Sequence, residues 1–544
     1  MNTSQLQTDK NQKLYHALLG ILLVCALAMM MLLSYWACKY SYYGAVDGRT
    51  RGVLVGDKTW AHIAVFLAAS LCTIGIDKVL MKKDKSQQEK ICLCTLIVTS
   101  VIAFILGVFY VCKNPYYPVG DQINTTAFAA YCRDGNFIML SNGGYVGMYQ
   151  QQKGLGILYE ILFTLFGDFN YRPAKILHVV WWILTILAGY GFLKLNTDRP
   201  VFRMLYCVMM LGCFPLLFYL PYIYGDVLSI SFGIILFYGV AAYEHSGQKR
   251  YIALASFAAG LAVLARKNTW IVLVAVAVYA LLVSLRKKKV RYLVAGTAIL
   301  LTAALSVKAV DVSYEVRSGY PSGIGIPSIL WVAMGLQETE GRAGVYNRYQ
   351  QATFTDYDCQ QELAAQQGKE YIRERLEEFS QDPGMAFNFF KNKLEGQWIE
   401  PMYAALESTE SFEEGAELSP VLESLYYGEL GRTIWKLTNY YQSILYLAGL
   451  MALVMLGILW WKKKEVPISL WLPWIAVFGG FLFSILWEAK SRYVFPYCVF
   501  MILYAPEGLY QTGLLLCKLP KLRKFKKSGH TQDKGEEASL RETA

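Results

Sequence analysis

The chain has 544 residues, of which 55% are hydrophobic and 15% aromatic, with only 17% charged and a mean hydropathy of +0.31. Soluble domains carry about a quarter of charged residues, so these figures exclude a water-soluble fold and point to an all-α polytopic membrane protein. The net charge of +11 is split unevenly: Asp311 to Thr438 holds 21 acidic and 10 basic residues, a net of −11, leaving +22 for the rest. That positive excess lies in short loops, as the positive-inside rule expects, so no nucleic-acid partner is expected.

Taken in order, the apolar runs predict about twelve spans of roughly 20 residues each. The first three are Leu14–Ala37, read as a retained span, Trp60–Met81 and Ile91–Val111. Lys82, Lys83, Lys85 and Lys90 separate the second from the third and place that turn in the cytoplasm. The loop Lys39–Lys58 also carries basic residues and argues mildly the other way. In the outer loop 112–175, Leu155–Phe166 is apolar but too short to span, and reads as a helix lying at the membrane surface, like the one that follows Gln122. Six spans follow: Ile176–Leu195, Met204–Tyr222, Val227–Tyr243, Tyr251–Ala265, Trp270–Leu285 and Tyr292–Val310. The basic turns Lys194–Arg203, Lys249–Arg250 and Arg286–Arg291 alternate correctly with the non-basic ones.

Asp311–Thr438 reads as an outer lid or cap, with helical periodicity over Asp358–Gln381 and Pro383–Trp398. The last spans are Asn439–Trp461, Ile468–Trp487 and Tyr493–Cys517, with Lys462–Lys464 cytoplasmic. The organisation is therefore a two-span extension (1–90), a membrane core (91–310), the lid (311–438), C-terminal spans (439–517) and a polar tail (518–544) expected to be disordered. Both termini are expected in the cytoplasm of a multi-pass cell-membrane protein, with a bacterial plasma membrane as its setting. The 12 cysteines mostly sit in apolar runs, and Cys92-Leu93-Cys94 has the wrong spacing for zinc. No metal site is assigned and no cofactor is expected. No fixed-period repeat and no matched pair of broken helices is visible, which weakens a transporter reading.

With this topology, several polar groups converge on the outer face. Asn114-Pro115-Tyr116-Tyr117-Pro118-Val119-Gly120-Asp121-Gln122 leaves the third span as a restricted turn and holds Asp121 just outside the hydrocarbon. Asp226 ends a second turn, Tyr222 to Asp226. Arg266-Lys267-Asn268 forms a third, and Glu488-Ala489-Lys490-Ser491-Arg492-Tyr493 a fourth. Two acids with several cations suit an acid that activates a nucleophile and cations that hold a phosphate. Plainer roles compete: Asp121 and Asp226 as helix caps, Arg266 and Lys267 as snorkelling side chains. His178 reads as a satisfied interior histidine, and Asn124-Thr125-Thr126 as a chance glycosylation sequon.

The order and sidedness of these turns resembles the GT-C superfamily of membrane glycosyltransferases, most closely bacterial relatives of the protein O-mannosyltransferases and of the aminoarabinose transferase that acts on lipid A. The resemblance runs over roughly Ile91 to Cys517, with Asp121 matching the first-loop acid, Tyr224-Gly225-Asp226 the second, Gly154–Phe166 the surface helix, Leu264 to Asn268 the short basic turn, and Glu488 to Pro496 the late Arg-Tyr turn. It implies a polyprenyl-phosphate-linked sugar as donor and a hydroxyl on a glycan, lipid or protein as acceptor, with inversion at the anomeric carbon and membrane lipids as the surroundings. Asp121 would be the base and Asp226 its supporting acid. Arg492, Tyr493, Lys490, Glu488, Arg266, Asn268 and Gln122 would bind substrate. Two spans precede this core where the family usually has one, and Gln122 stands where several relatives carry a second acid, which leaves a divalent metal open. The competing readings are a polysaccharide polymerase or ligase and a transporter or flippase of a lipid-linked sugar.

Overall fold

The computed structural model describes residues 3–43, 53–321, 325–464 and 466–518, with side chains from Asn11 onward. It is 78% helical with almost no sheet, the expected all-α membrane architecture. Among the described residues, nine helices are long and apolar enough to cross a bilayer. Most of the tail, residues 519–544, lies outside the described residues.

The N-terminal helix α1 (Thr3–Lys39) runs into a hairpin, β1 (Tyr40–Tyr43) with β2 (Val53–Gly56), that the sequence reading took for a plain loop. Next come α2 (Thr59–Leu80), α3 (Lys85–Lys113) and a group near the α3 exit: α4 (Asp121–Arg133), α5 (Tyr145–Met148) and α6 (Gln152–Phe166). At 15 residues, α6 is too short to cross. It is tied to its neighbours by polar contacts, including the Arg317–Glu160 ion pair and the hydrogen bond from Tyr314 Oη to Glu160 at 3.2 Å.

Helices α7 (Arg172–Asn196), α8 (Pro200–Leu211), α9 (Phe214–Phe218), α10 (Asp226–Ser246), α11 (Lys249–Ala265), α12 (Trp270–Lys287) and α13 (Arg291–Ser318) build the core. The expected continuous span Met204–Tyr222 is broken at Gly212–Cys213, because Gly212 lowers helix propensity and Pro215 cannot donate to the preceding turn. Helix α11 has 17 residues and falls just short of the nine.

The segment expected to form the lid holds α14 (Ser328–Gly335), the two-residue strands β3 (Glu338–Thr339) and β4 (Arg342–Ala343), α15 (Tyr349–Asp356), α16 (Gln361–Gln381), α17 (Pro383–Trp398), α18 (Ala405–Ser408) and α19 (Pro420–Tyr427). The chain then re-enters the bundle through α20 (Glu429–Trp461), α21 (Leu472–Leu486) and α22 (Ser491–Met501). A second interruption follows at residues 502–504, before residues 505–518 resume as helix. The chain thus has two interrupted apolar stretches, where the sequence had suggested no such pair. The lid is stitched to the bundle: Tyr117 N donates to Ser411 O at 2.9 Å, Ala489 N to Gly344 O at 2.7 Å, and Trp398 Nε1 to Ser484 Oγ at 3.0 Å. Trp331 stacks on Trp487 with ring centroids 5.9 Å apart.

The basic turns meet at one end of the bundle. Arg203 and Lys194 both reach Glu89, Arg199 pairs with Asp77 at 3.1 Å, and Lys287 pairs with Glu244 at 2.9 Å. Ser469 Oγ donates to Asn196 Oδ1 at 2.6 Å and joins two of those turns. The turns that carry Asp121, Asp226, Arg266 and Arg492 lie at the helix ends opposite these.

Candidate functional site

The first element of the site is the turn after α3. Asn114 Oδ1 accepts from Tyr116 N at 3.0 Å, and Tyr116 Oη donates to Gln122 Oε1. Gln122 is buried and is thus spent on holding the loop. Gly120 sits at φ +58, in the left-handed region, where a side chain would be strained. This turn makes Gly120 the helix cap and Asp121 the first helical residue, with no capping hydrogen bond from a side chain. Asp121 therefore is not the N-cap that the plainer reading expects. Its carboxylate is exposed and accepts from Tyr145 Oη at 3.0 Å, and no cation of the described residues lies within ion-pair distance.

Asp226 opens α10 and is buried. It too spends its carboxylate away from the helix end: Arg266 Nη1 lies 3.2 Å from Oδ2, and Arg492 Nε lies 4.0 Å from Oδ1. The approach depends on Gly225, where a Cβ would fall 2.0 Å from the Ala265 carbonyl oxygen and push the α11–α12 turn away. In that turn Arg266 is half-buried, while Lys267 is exposed, as a snorkelling lysine would be. Asn268 is half-buried and makes no side-chain hydrogen bond among the described residues.

The two guanidiniums share an aromatic frame. Arg492 lies over the rings of Tyr222, Tyr224 and Tyr493, at 5.2, 5.3 and 5.5 Å from their centroids, and Arg266 over Tyr224 and Tyr493 at 5.2 and 5.5 Å. Cation–π contacts of this kind hold a buried guanidinium without using its N–H donors. Arg492 Nε is buried and has no hydrogen-bond partner among the described residues.

Glu488 precedes α22 and is buried, with Tyr493 Oη 3.4 Å from each carboxylate oxygen. Burial pushes its carboxyl up to about 7. Lys490 and Arg266 pull the other way, and the Asp121 charge adds to the rise. The Asp121 charge also reaches Tyr224 and Tyr493. Lys490 is half-buried, with its charge acting on Glu488 and Glu407. The structure thus brings Asp121, Asp226, Arg266, Glu488, Lys490, Arg492 and Tyr493 into one polar cluster, sets Gln122 behind it as support, and leaves Asn268 without a side-chain hydrogen bond to it among the described residues.

Two members escaped the sequence reading. Tyr145 lies in a four-residue helix with no periodicity to mark it. Gln152 donates to Tyr224 Oη at 2.5 Å and accepts from Thr125 at 3.3 Å, linking α4 and α6 to the Asp226 turn. A polar residue at the head of an apolar helix was the available signal. His178 is satisfied inside the bundle, with Nδ1 2.9 Å from Leu220 O, and Thr126 of the sequon is buried within α4. All 12 cysteines are free.

Chemically, the cluster offers an exposed carboxylate, with no cation of the described residues in ion-pair range, beside the buried Arg492 and half-buried Arg266 guanidiniums. It can take a proton on one side and stabilise an anion on the other. In comparisons with known proteins, no family model, no curated protein and no solved structure matches the chain.

Proposed function

We propose that the chain is a membrane glycosyltransferase of GT-C type, which moves a sugar from a polyprenyl-phosphate donor to an acceptor hydroxyl. The observation that carries this reading is the presence in one cluster, at the end opposite the basic turns, of Asp121, whose carboxylate accepts from Tyr145, and a buried Arg492 whose Nε has no hydrogen-bond partner among the described residues.

Asp121 takes the proton of the acceptor hydroxyl as its oxygen attacks the anomeric carbon. The new C–O bond forms on the face opposite the phosphate, and the bond between carbon and phosphate oxygen breaks. The electron pair stays on that oxygen, so polyprenyl phosphate leaves and the product is inverted. Arg492 and Arg266 stabilise the charge that grows on the leaving phosphate, the step where preorganised donors have most effect. Asp226 positions the two guanidiniums, and Tyr145 orients Asp121. In this reading the cluster faces outward and both termini inward. Residues 200–222, 249–265 and 491–518 each cross, which makes twelve spans in a bacterial plasma membrane.

The test is reconstitution of the full chain in liposomes with polyprenyl-phosphate sugars and a hydroxyl acceptor panel. Transfer with inverted anomeric configuration is expected, and a retained configuration would remove Asp121 from its role as base. The two interrupted apolar stretches favour one other reading, movement of a lipid-linked sugar across the bilayer. Flipping without any new glycosidic bond in the same liposomes would select it.

A further inference from the structure

A cavity of about 850 Å³ lies at the end of the bundle where the basic turns meet, and it shares no lining residue with the cluster of Asp121 and Arg492. Its walls come from α1, from the C-terminal ends of α10, α12 and α20, and from the segment that leads into α21. These walls are tied to one another. Arg286 Nη1 donates to Val466 O at 2.6 Å, and its guanidinium lies 6.0 Å from the centre of the Tyr15 ring, so the end of α12 is joined both to α1 and to the segment before α21. His16 on α1 and Trp460 on α20 lie with ring centroids 6.5 Å apart. The volume falls in the size class of ligand pockets, about 300–1,000 Å³.

The charge on this lining has one sign. Among the described lining residues, Arg286, Lys287, Lys463 and Lys464 stand against a single acid, Glu244. That acid is already engaged: Lys287 Nζ lies 2.9 Å from Oε1, while Oε2 accepts from Tyr279 Oη at 2.7 Å and from Ser469 N at 3.0 Å. Lys463 and Lys464 are exposed and make no side-chain hydrogen bond or ion pair among the described residues. The two turns that supply the cations, 286–291 and 462–465, hold eight Lys and Arg and one Glu. Basic loops on the inner side of a membrane are common and need not enclose anything. Other turns at this end close on acids, Lys194 and Arg203 on Glu89 and Arg199 on Asp77. Here the cations are in surplus around a volume, which selects an anion.

The rest of the lining selects an amphiphile. The apolar run of α12 ends at Leu285 and that of α20 at Trp461, and the cations follow directly. Leu19, Leu456, Trp460 and Trp471 line the same cavity, which therefore straddles the level where apolar helix gives way to charged turn. A soluble phosphate would meet the cations alone, whereas a lipid meets both parts. We infer that this cavity binds an anionic phospholipid, with the phosphate on Lys463, Lys464 and Arg286 and the upper part of its chains against Leu456 and Trp460. Basic pockets between membrane helices take phosphorylated head groups by the same combination. The site stands on its own lining and does not depend on the transfer chemistry at the other end.

The experiment is native mass spectrometry of the full chain in detergent, titrated with phosphatidylglycerol, phosphatidic acid or phosphatidylcholine. One molecule of either anionic lipid is expected to bind well ahead of phosphatidylcholine. Lys463→Gln combined with Lys464→Gln should weaken that first binding by on the order of tenfold or more, and both positions are exposed, so folding is not at stake. Lys82→Gln combined with Lys83→Gln removes the same charge from exposed positions that do not line the cavity, and should bind like the wild type. Equal binding of phosphatidylcholine and the anionic lipids overturns the site. So does an unchanged affinity in the cavity variant, or an equal loss in both double variants, which would mean a diffuse attraction to the basic end. Inorganic phosphate at ~10 mM, beyond the weak end of specific binding, should leave the lipid bound. Its displacement would overturn the lipid assignment in favour of a soluble phosphate.

Discussion

The two ends of the bundle use charge in opposite ways. At the basic end, acids are matched to cations: Asp77 with Arg199, Glu89 with Arg203 and Lys194, and Glu244 with Lys287. There the ion pairs bind turn to turn, and Glu244 also accepts from Tyr279 Oη at 2.7 Å. At the other end, Asp121 has only a tyrosine among the described residues, Glu488 is buried beside Tyr493, and Asp226 lies between two arginines held by aromatic faces. Matched pairs hold a structure together and offer little to a ligand. Unmatched buried groups are costly in the folded state and are the ones left to bind something else.

The comparison breaks outright if both ends face the same compartment. In a cysteine-free background, a cysteine at the exposed Glu413 position should react with an impermeant thiol reagent in intact cells, and one at Lys463 only after the membrane is opened. The outcome is all or none at each position, and the reverse pattern would place the cluster in the cytoplasm.

The next largest effect concerns Asp121. Asp121→Asn keeps the shape and the hydrogen bond from Tyr145 but removes the basicity, and should lower the transfer rate by roughly a hundredfold or more with donor binding intact. Glu89→Gln at the basic end removes one charge of an ion-pair network and should leave the transfer rate of the folded chain near that of the wild type. Near-normal transfer by Asp121→Asn would leave the base unassigned.

Arginine geometry gives a smaller contrast. Arg492→Ala should weaken donor binding by on the order of 2–5 kcal/mol, and Arg492→Lys should fall between the two because it keeps charge but loses the planar fork. Arg199 is 42% exposed in its pair with Asp77, so Arg199→Lys should cost under about 1 kcal/mol of stability. Donor binding unchanged in Arg492→Ala would end its role on the phosphate.

The smallest expected effect is one of pH. The Glu488 carboxyl stands at about 7 in the folded chain, against an ordinary 4.5. The folded state therefore holds that proton more tightly, and the stability this brings is complete below about 4.5 and lost as pH rises through 7. Glu488→Gln removes the titration. Its melting temperature should gain on the wild type between about pH 5 and about pH 8, by the equivalent of at most about 3 kcal/mol. A pH-independent difference would mean that Glu488 is solvated.

Much of this architecture could be read from the chain because hydrophobic length and loop charge are local properties. Among the described residues, nine of the apolar runs form helices long enough to cross a bilayer, and Pro383–Trp398 starts and stops at its expected residues. The basic turns could be grouped by parity alone, and their ion pairs join them at one end. The interruptions at Gly212–Cys213 and at residues 502–504 were less legible, because the apolar pattern continues across them and only backbone packing decides where the helix stops. The β1–β2 pairing was hidden for a related reason, since each strand depends on a partner that is not adjacent to it in the chain.

For the site, the sequence by itself determined which residue types stand at which helix ends: Asp121, Asp226, Arg266, Glu488, Lys490 and Arg492 were all marked by charge beside apolar runs. It could not determine what each would touch. That Asp226 is held between Arg266 and Arg492, that Gln122 serves the loop, that Tyr145 reaches Asp121 and that Gln152 reaches Tyr224 was decided only by the tertiary structure. Charge at a membrane boundary is written in one residue at a time, whereas hydrogen-bond partners come from segments tens to hundreds of residues away, brought together by packing that no single segment encodes.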